Sequence, residues 1–149
     1  MELSPLTPAD IAEVMRIERL PGYEETVGRF DAEEHARQMA SAAVRYFGLR
    51  EAAGLAGFVM LQELDRPTVL LRRIAAARQD AGIGSRLVAL VMDWVFQETD
   101  AQALRLDVAL NNPRGRFVYE RQGFAEYDAD PVHHFLRIPR SRWRALRGL

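Results

Sequence analysis

A glycine-containing bend near the middle of the chain has the residue types and spacing to bind a phosphate group. Its sequence is Gln79-Asp80-Ala81-Gly82-Ile83-Gly84, followed by Ser85. When such a bend opens a helix, several backbone N–H groups lack partners and lie at the positive end of the helix dipole. Glycine also lets a ligand approach the backbone closely. The bend is therefore predicted to bind phosphate, unless its glycines only mark an ordinary strand-to-helix connection.

Two common phosphate-binding loops are excluded by residue type. The dinucleotide fingerprint requires a third glycine, and Leu87 stands at that position. The Walker loop requires a Gly-Lys-Ser/Thr sequence, and the chain contains no lysine. What remains is the pattern Gln-x-x-Gly-x-Gly between a predicted strand and a predicted helix.

A second segment supports a ligand-binding interpretation of the bend. It begins at Asn112-Pro113, which is typical of a helix start because Asn caps the helix and Pro takes its first position. The helix carries Tyr119 and is predicted to stop at Gly123, with Phe124 following. A strand with alternating apolar residues, Leu104 to Leu110, precedes the segment.

Together the two segments resemble the signatures of the GNAT (general N-acetyltransferase) superfamily. The second signature is an Asn, a small residue and then Tyr-Glu-x-x-Gly-Phe, matched here by Asn112, Gly115 and Tyr119 to Phe124. Both signatures occur in the family's order, and the resemblance is strong from Leu70 to Phe124. It implies an N-acetyltransferase that passes acetyl directly from acetyl-CoA to an amine in a ternary complex.

The elements that must position these residues follow the family's order. Patterning predicts β-α-α-β-β-β-α-β-α-β-β, an α/β (α+β) GNAT-like fold with a mixed, mostly antiparallel sheet flanked by helices. Strands are predicted at about 2–6, 44–51, 54–64, 69–77, 104–110, 125–128 and 132–138. Helices are predicted from Thr7 or Asp10 to about Leu20, over 32–43, from Gly82 and from Asn112. The whole chain, 1–149, is predicted to form one domain.

The resemblance also implies where acetyl-CoA binds. Its pyrophosphate would lie on the backbone amides from Gln79 to Ser85, and its pantetheine arm would pair with the strand edge at Ile74 to Ala76. Asn112 would contact the arm from the other side. The implied cofactor residues are Ile74, Ala75, Ala76, Gln79, Asp80, Ala81, Gly82, Ile83, Gly84, Ser85, Asn112, Gly115 and Tyr119.

Acetyl transfer requires a base for the amine, an oxyanion donor and an acid for the leaving sulfur. The resemblance implies that Tyr119 is the acid, whereas a tyrosine could also only pack its ring with its hydroxyl satisfied. A backbone N–H on Ile74 to Ala76 is the expected oxyanion donor. Asp107 is a candidate base, and an ion pair of Asp107 with Arg105 or Arg72 is an equally weighted alternative. Glu63 or Glu24, acting through water, are lesser candidates.

The acceptor site is expected at the Tyr23–His35 region and near His133-His134. Tyr23, Glu24 and Arg29 are its predicted substrate-binding residues. With Glu25 they form a mixed-charge loop that could hold a small zwitterion or a peptide terminus, or could simply be solvated. His133 and His134 should point to opposite faces of a strand, so no metal site is expected there.

Composition restricts the class of protein without deciding its function. The chain has 149 residues, a formal net charge of −1, 48% hydrophobic residues and no cysteine. A thiol nucleophile and cysteine metal sites are excluded, and nucleic acid and membranes are not expected partners. A cytoplasmic protein and a possible homodimer are expected, with an arginine-rich C-terminal tail of open role. The alternative function is an acyl-CoA-binding sensor without transferase activity.

Overall fold

The computed structural model describes residues 2–21, 23, 29–78 and 82–149. Within these residues, seven strands form one sheet in the spatial order β1-β2-β3-β4-β5-β7-β6. The strands are β1 (Leu3–Pro5), β2 (Arg45–Glu51), β3 (Gly54–Gln62), β4 (Thr68–Ala76), β5 (Ala103–Ala109), β6 (Ala125–Ala129) and β7 (His133–Pro139). The β4–β5 pair is parallel and the other neighbours are antiparallel, so the predicted mixed, mostly antiparallel sheet is confirmed.

Five α-helices flank this sheet among the described residues. They are α1 (Ile11–Glu18), α2 (Ala32–Ala40), α3 (Ile83–Glu98), α4 (Pro113–Arg121) and α5 (Arg140–Leu146). A 3₁₀ turn at Pro8–Asp10 precedes α1 and is capped by Thr7. In the part of the chain that the structure describes, no helix combines the length and apolarity needed to cross a membrane.

The parallel strands β4 and β5 stay paired over only three residues each. Thr68, Val69 and Leu70 lie opposite Ala103, Leu104 and Arg105, and the pairing ends there. Both strands continue for several residues beyond this point, to Ala76 and Ala109 respectively. The divergence opens a gap in the sheet, which we call the slot. The family resemblance implies such a gap for the pantetheine arm.

Apolar side chains cover both faces of the sheet. Helix α3 presents Leu87, Val88, Val91 and Val95 to one face, where they join core residues of β3, β4, β5 and β7. Helix α1 presents Val14 and Ile17 to the other face, against Phe58 and Met60 of β3. Gly57 lets α3 pack closely, because an added Cβ would lie 2.8 Å from the Ala75 carbonyl and 2.9 Å from Leu87 Cδ1. The start of α3 is thereby placed beside the end of β4.

The structure corrects the predicted elements in three places. Helix α2 ends at Ala40 rather than at residue 43. Strand β4 contains a register shift, since Met60 lies opposite Arg73 while Leu61 lies opposite Leu71. Arg72 is therefore an extra, bulged residue, and such a bulge re-aims a side chain at a strand edge.

The third correction concerns the C-terminal tail, which forms α5 and docks against α3. Trp143 is buried and its Nε1 donates to Asp93 Oδ1 at 2.8 Å. The Arg140 guanidinium donates to the carbonyls of Phe96, Thr99 and Ala101 at 2.7–2.8 Å. The Phe96 carbonyl belongs to the last turn of α3, where a helix leaves acceptors without partners, and those of Thr99 and Ala101 follow the helix. The basic tail thus completes a helix end.

Candidate active site

A cavity of about 480 Å³ lies where β4, α3 and α4 meet, and we call it the donor cavity. Its walls are largely backbone and small side chains, which suits an extended ligand that is held by main-chain groups. The lining residues are Tyr23, Ile74, Ala75, Ala76, Gly82, Gly84, Ser85, Val88, Asn111, Asn112, Pro113, Arg114, Gly115, Val118 and Tyr119. Eight of the implied cofactor residues other than Tyr119 are therefore brought together: Ile74, Ala75, Ala76, Gly82, Gly84, Ser85, Asn112 and Gly115.

The first turn of α3 presents backbone N–H groups to the donor cavity. Gly82 has φ of 72°, a left-handed conformation that favours glycine, and its carbonyl accepts from Arg86 N at 3.1 Å. A Cβ added at Gly82 or at Gly84 would meet no atom within 4 Å. The space beside both glycines is therefore open to a ligand. This arrangement fits a diphosphate at a helix N-terminus.

Asn112 caps α4 at the opposite wall of the donor cavity. Its Oδ1 accepts from Gly115 N at 3.0 Å, as predicted for an Asn at a helix start. Gly115 is required by this contact, since an added Cβ would lie 2.5 Å from Asn112 Nδ2. The absent side chain at position 115 thus makes room for the cap as well as for the cavity.

Tyr119 lies on α4 with its ring packed and its hydroxyl at the donor cavity. The ring lies edge-on to Phe124 at 6.1 Å between centroids, and the residue is partly buried. Among the described residues, none makes a hydrogen bond to its hydroxyl, so the alternative of a satisfied core tyrosine does not hold. Burial raises the pKa of the Tyr119 phenol, with a further contribution from Tyr23. The hydroxyl therefore stays protonated at neutral pH.

Helices α3 and α4 are joined at the level of this tyrosine. Gln122 Nε2 donates to the Ser85 carbonyl at 3.3 Å, which links the end of α4 to the first turn of α3. Gly123 terminates α4 with φ of 108°, as predicted, and Phe124 N donates to the Tyr119 carbonyl at 3.2 Å. The first turn of α3 and the end of α4, which carries Tyr119, are thus linked directly.

A second, smaller cavity of about 100 Å³ occupies the slot between β4 and β5, and we call it the slot cavity. It shares Tyr23, Ile74, Asn112 and Tyr119 with the donor cavity. These four residues form the boundary between the two spaces. The other lining residues are Leu71, Arg72, Arg73, Leu106, Asp107, Val108 and Ala109.

Asp107 lies in the slot cavity and is exposed. Its neighbours Leu106 and Val108 point into the core beneath α3, so Asp107 faces the side of the sheet that carries α1 and α2. No hydrogen bond or ion pair joins Asp107 to another described residue, because Arg105 pairs with Glu63 instead, at 2.7 Å. Among the described residues, the expected ion pair of Asp107 with Arg105 or Arg72 is not formed, although the charge of Asp107 contributes to the raised pKa of Arg105.

Tyr23 holds the end of β4 by two hydrogen bonds to one residue. Its hydroxyl donates to the Ala76 carbonyl at 2.7 Å and accepts from Ala76 N at 2.9 Å. Since Ala77 N donates to the Ala56 carbonyl on the β3 side, the polar groups of Ala76 must face away from β3, into the slot. The Tyr23 hydroxyl thus takes up both backbone hydrogen-bonding groups of Ala76 at the edge of the slot.

Several predicted site residues lie elsewhere or cannot be placed. Gln79, Asp80, Ala81 and Glu24 fall outside the described residues. Ile83 is buried, and its side chain packs toward Gly57 rather than into either cavity. Arg29 is exposed and lines neither cavity.

The two adjacent histidines also lie apart from the cavities. His133 stacks near Phe135, whereas His134 contacts Arg116 and Glu126, so they face opposite sides as predicted. Neither histidine lines the donor cavity or the slot cavity.

A buried polar cluster beside the slot was missed by sequence reasoning. His35 Nε2 lies 2.9 Å from Glu18 Oε1 and His35 Nδ1 lies 2.7 Å from the Tyr46 hydroxyl. Arg73, on the wall of the slot, lies 3.4 Å from the second oxygen of Glu18. Burial raises the pKa of Tyr46, which keeps this phenol neutral. The one sequence feature that indicates the cluster is Glu18, a charged residue on the apolar face of α1.

Comparisons with known proteins agree with this geometry. The described residues bring together diverging parallel strands, a helix that begins after Gly82 and the Tyr119 phenol. The sequence matches the Acetyltransferase (GNAT) family over residues 11–124, so the chain belongs to that family. It is an acetyl-CoA-dependent N-acetyltransferase that transfers an acetyl group to an amine. No curated protein sequence matches it significantly.

Solved structures share the fold across nearly the whole chain. A chimera of the Vibrio cholerae spermidine N-acetyltransferase SpeG and hSSAT has a TM-score of 0.80 at 20% identity, covering 97% of this chain and 99% of that one. Mutant forms of the Vibrio cholerae spermidine/spermine N-acetyltransferase SpeG have a TM-score of 0.79 at 19% identity, with 99% and 97% covered. A dodecameric structure of the Vibrio cholerae enzyme has a TM-score of 0.79 at 19% identity, with 95% and 94% covered.

Proposed function

We propose that the two cavities receive the two substrates of a direct transfer, with Tyr119 at their junction. The observation that carries this proposal is the Tyr119 hydroxyl, which no described residue binds and which lines both cavities. An acid for the leaving sulfur must lie where the thioester of the donor meets the acceptor, which is the boundary between the two cavities. The chain has no cysteine, so a covalent relay through a thiol is excluded. We propose that transfer takes place directly, in a ternary complex.

The donor cavity would hold acetyl-CoA through main-chain groups. Gly82, Gly84 and Ser85 would bind the pyrophosphate, and Asn112 would lie against the pantetheine arm. When bound, acetyl-CoA supplies an acetyl group activated as a thioester. Open space beside both glycines supports this placement.

Ile74 is the proposed oxyanion donor. Antiparallel pairing with β3 alternates, so the N–H groups of Ile74 and Ala76 face the slot while that of Ala75 faces β3. The Ala76 N–H is already taken by Tyr23. The Ile74 N–H therefore remains for the oxygen of a reacting carbonyl, where a fixed donor stabilises developing charge.

Asp107 is the proposed base. It is exposed in the slot cavity, lacks a salt-bridge partner among the described residues and shares that cavity with Tyr119. A free carboxylate can bind the ammonium form of an acceptor and then take its proton. Tyr23 is proposed to contact the acceptor from the boundary of the two cavities. The related folds act on spermidine, which makes a polyamine one acceptor to test.

The proposed function also covers location and assembly. A cytoplasmic location is proposed because the chain lacks cysteine and has a near-neutral charge. A homo-oligomer is proposed from the dodecameric assembly of a protein with the same fold. Size-exclusion chromatography with light scattering tests the second point.

Thermal shifts combined with a CoA-release assay test the function itself. Acetyl-CoA and CoA should raise the melting temperature, and ATP should raise it less, because ATP has no pantetheine arm to lie against Asn112. A thiol reagent can follow CoA release without background, since the protein has no thiol. Stabilisation by acetyl-CoA without release of CoA for any amine would favour the alternative, a sensor. Equal stabilisation by all three ligands would contradict the placement.

A further inference from the structure

The charged side chains around the slot fall into two groups, those with an ion-pair partner and those without one. Arg73 lies 3.4 Å from the fully buried Glu18, and Arg105 lies 2.7 Å from Glu63. Each of these cations is therefore neutralised by a neighbouring carboxylate. Neither is available as the main anchor for a charged substrate.

Arg72 and Asp107 form the second group. Both are exposed and both line the slot cavity. No salt bridge or hydrogen bond joins either of them to another residue within the described ranges, nor to each other. The pairing of Leu70 with Arg105 places Arg72 and Asp107 at the same level of the two parallel strands, just beyond the point where these separate.

The bulge in β4 explains why Arg72 reaches the slot. Its neighbours Leu71 and Arg73 are buried on opposite faces of the sheet, and the extra residue between them is exposed. Opposite charges held apart across a gap are complementary to a ligand that carries both signs itself. A guanidinium prefers a carboxylate, which it can bind through two parallel hydrogen bonds.

We propose that the acceptor is a small amine bearing its own carboxylate, of the amino-acid class, held by Asp107 at its ammonium and by Arg72 at its carboxylate. This inference rests on the proposed function, which places the acceptor in the slot cavity. Arg72 is then the specificity-determining residue. A polyamine has no group for Arg72 and would be repelled by it.

These residues account for the bonds and protons that change in acetyl transfer. The acceptor ammonium gives one proton to Asp107, its nitrogen forms a bond to the acetyl carbon while the carbon–sulfur bond breaks, and the nitrogen loses its second proton to solvent. Tyr119 protonates the released sulfur, and both side chains return to their starting states by exchange with solvent. The carboxylate on Arg72 is unchanged, and one proton is released for each acetyl group that is transferred to an ammonium.

A matched acceptor series tests the proposal. It contains the standard amino acids, their amides as stand-ins for peptide N-termini, the corresponding amines without carboxylate (3-methylbutylamine for leucine), and spermidine. The wild-type enzyme should prefer at least one free amino acid over its amide and its decarboxylated amine in kcat/KM. Arg72→Gln should lower kcat/KM for that amino acid by about 10- to 100-fold, the effect of one charge-assisted contact.

Two controls separate the carboxylate contact from general damage. Arg72→Gln should not lower kcat/KM for the decarboxylated amine, which has no carboxylate for Arg72 to bind. Arg66→Gln, at an exposed arginine of the β3–β4 connection, should change kcat/KM for neither acceptor. Calorimetry of the amino acid with the CoA-bound enzyme gives a readout besides activity, and Arg72→Gln should weaken that binding by the same factor.

Two outcomes would overturn the inference. Spermidine or the decarboxylated amines could be preferred, or Arg72→Gln could affect all acceptors equally. Either result would leave acetyl transfer intact. Failure of the proposed function is distinguishable, because no amine would then release CoA even though acetyl-CoA still stabilises the protein.

Discussion

Tyr119 combines a packed ring with a hydroxyl that lies at the boundary between two cavities. Burial favours the protonated form of this phenol and raises its pKa. A phenol with a raised pKa holds its proton at neutral pH, so the proton is in place when the thiolate leaves. Its environment therefore suits an acid better than a base.

Replacing Tyr119 tests this role directly. Tyr119→Phe removes only the hydroxyl, so kcat should fall by about 10²- to 10⁴-fold, as expected for loss of a general acid. The KM for acetyl-CoA should change little, because the ring and its packing against Phe124 remain. Steady-state kinetics measures both constants. Tyr127→Phe, on exposed β6, is the matched control and should have the kcat and KM of the wild type. An unchanged kcat in Tyr119→Phe would remove Tyr119 from the mechanism.

The raised pKa of Tyr119 also predicts the alkaline side of the pH profile. Because its pKa lies above the reference value of about 10, kcat should not decline between about pH 8 and pH 10 through loss of this proton. The protonated phenol is the active form. Because a raised pKa moves its deprotonation to higher pH, activity is kept to higher pH. A pH–rate profile at saturating substrates checks this. A decline centred near pH 8 would mean that another group supplies the proton.

For single residues, the sequence predicted which residues form the candidate site better than it predicted the partners that they contact. Tyr119, Asn112 and Gly115 were recognisable because their types and spacing recur in the family signature. Whether Asp107 was ion-paired could not be decided, since its possible partner Arg105 binds Glu63, which is 42 residues away along the chain. The hydrogen bonds from Tyr23 to Ala76 span 53 residues and have no local signal either.

Among the elements, α3 positions the site through its first turn and stabilises the fold through its later ones. Leu87, Val88 and Val91 anchor it in the core, while Gly82 and Gly84 face open space. Periodic apolar residues predicted the helix correctly, and the alternating strands were predicted within a few residues. Helix α5 was missed, because it is only seven residues long and its signal is a single tryptophan, Trp143, among arginines.

Substitution at Gly84 separates the ligand role of α3 from its structural role. Gly84→Ala should raise the free energy of unfolding by about 0.5–1 kcal/mol, since alanine favours a helix over glycine and no atom lies within 4 Å of the new Cβ. The same methyl group should raise the KM for acetyl-CoA by about tenfold, which corresponds to ~1.4 kcal/mol. Urea unfolding and steady-state kinetics measure the two effects.

The control is internal to the Gly84→Ala experiment. The KM for the amine should be unaffected, because Gly84 lines only the donor cavity. A variant that is more stable and binds acetyl-CoA as well as wild type would place the pyrophosphate elsewhere. Gly82 is less suitable for this test, since its φ of 72° strains any side chain.

In the whole molecule, the buried cluster of Glu18, His35, Tyr46 and Arg73 joins four separate elements. Glu18 ends α1, His35 lies in α2, Tyr46 in β2 and Arg73 in β4. The ring of Phe30 stacks on Arg73, whose Cζ is 3.7 Å from the ring centroid, and meets His35 edge-on. The cluster thus links α1 and α2 to β4, the strand that borders the slot. Sequence reasoning could not find it, because its members are isolated polar residues brought together only by the fold.

Removing the carboxylate of Glu18 should therefore destabilise the whole protein. Glu18 Oε1 lies 2.8 Å from Arg19 and 2.9 Å from His35, and both Glu18 and His35 are fully buried. Glu18→Gln leaves the buried Arg73 without a counter-charge, so the free energy of unfolding should fall by about 3–5 kcal/mol. Glu13→Gln, on the same helix, breaks an exposed pair with Arg16 and should cost less than about 1 kcal/mol. Urea unfolding monitored by tryptophan fluorescence measures the free energy of unfolding of both variants. Equal decreases in the two variants would mean that the buried cluster does not stabilise the contacts among these four elements.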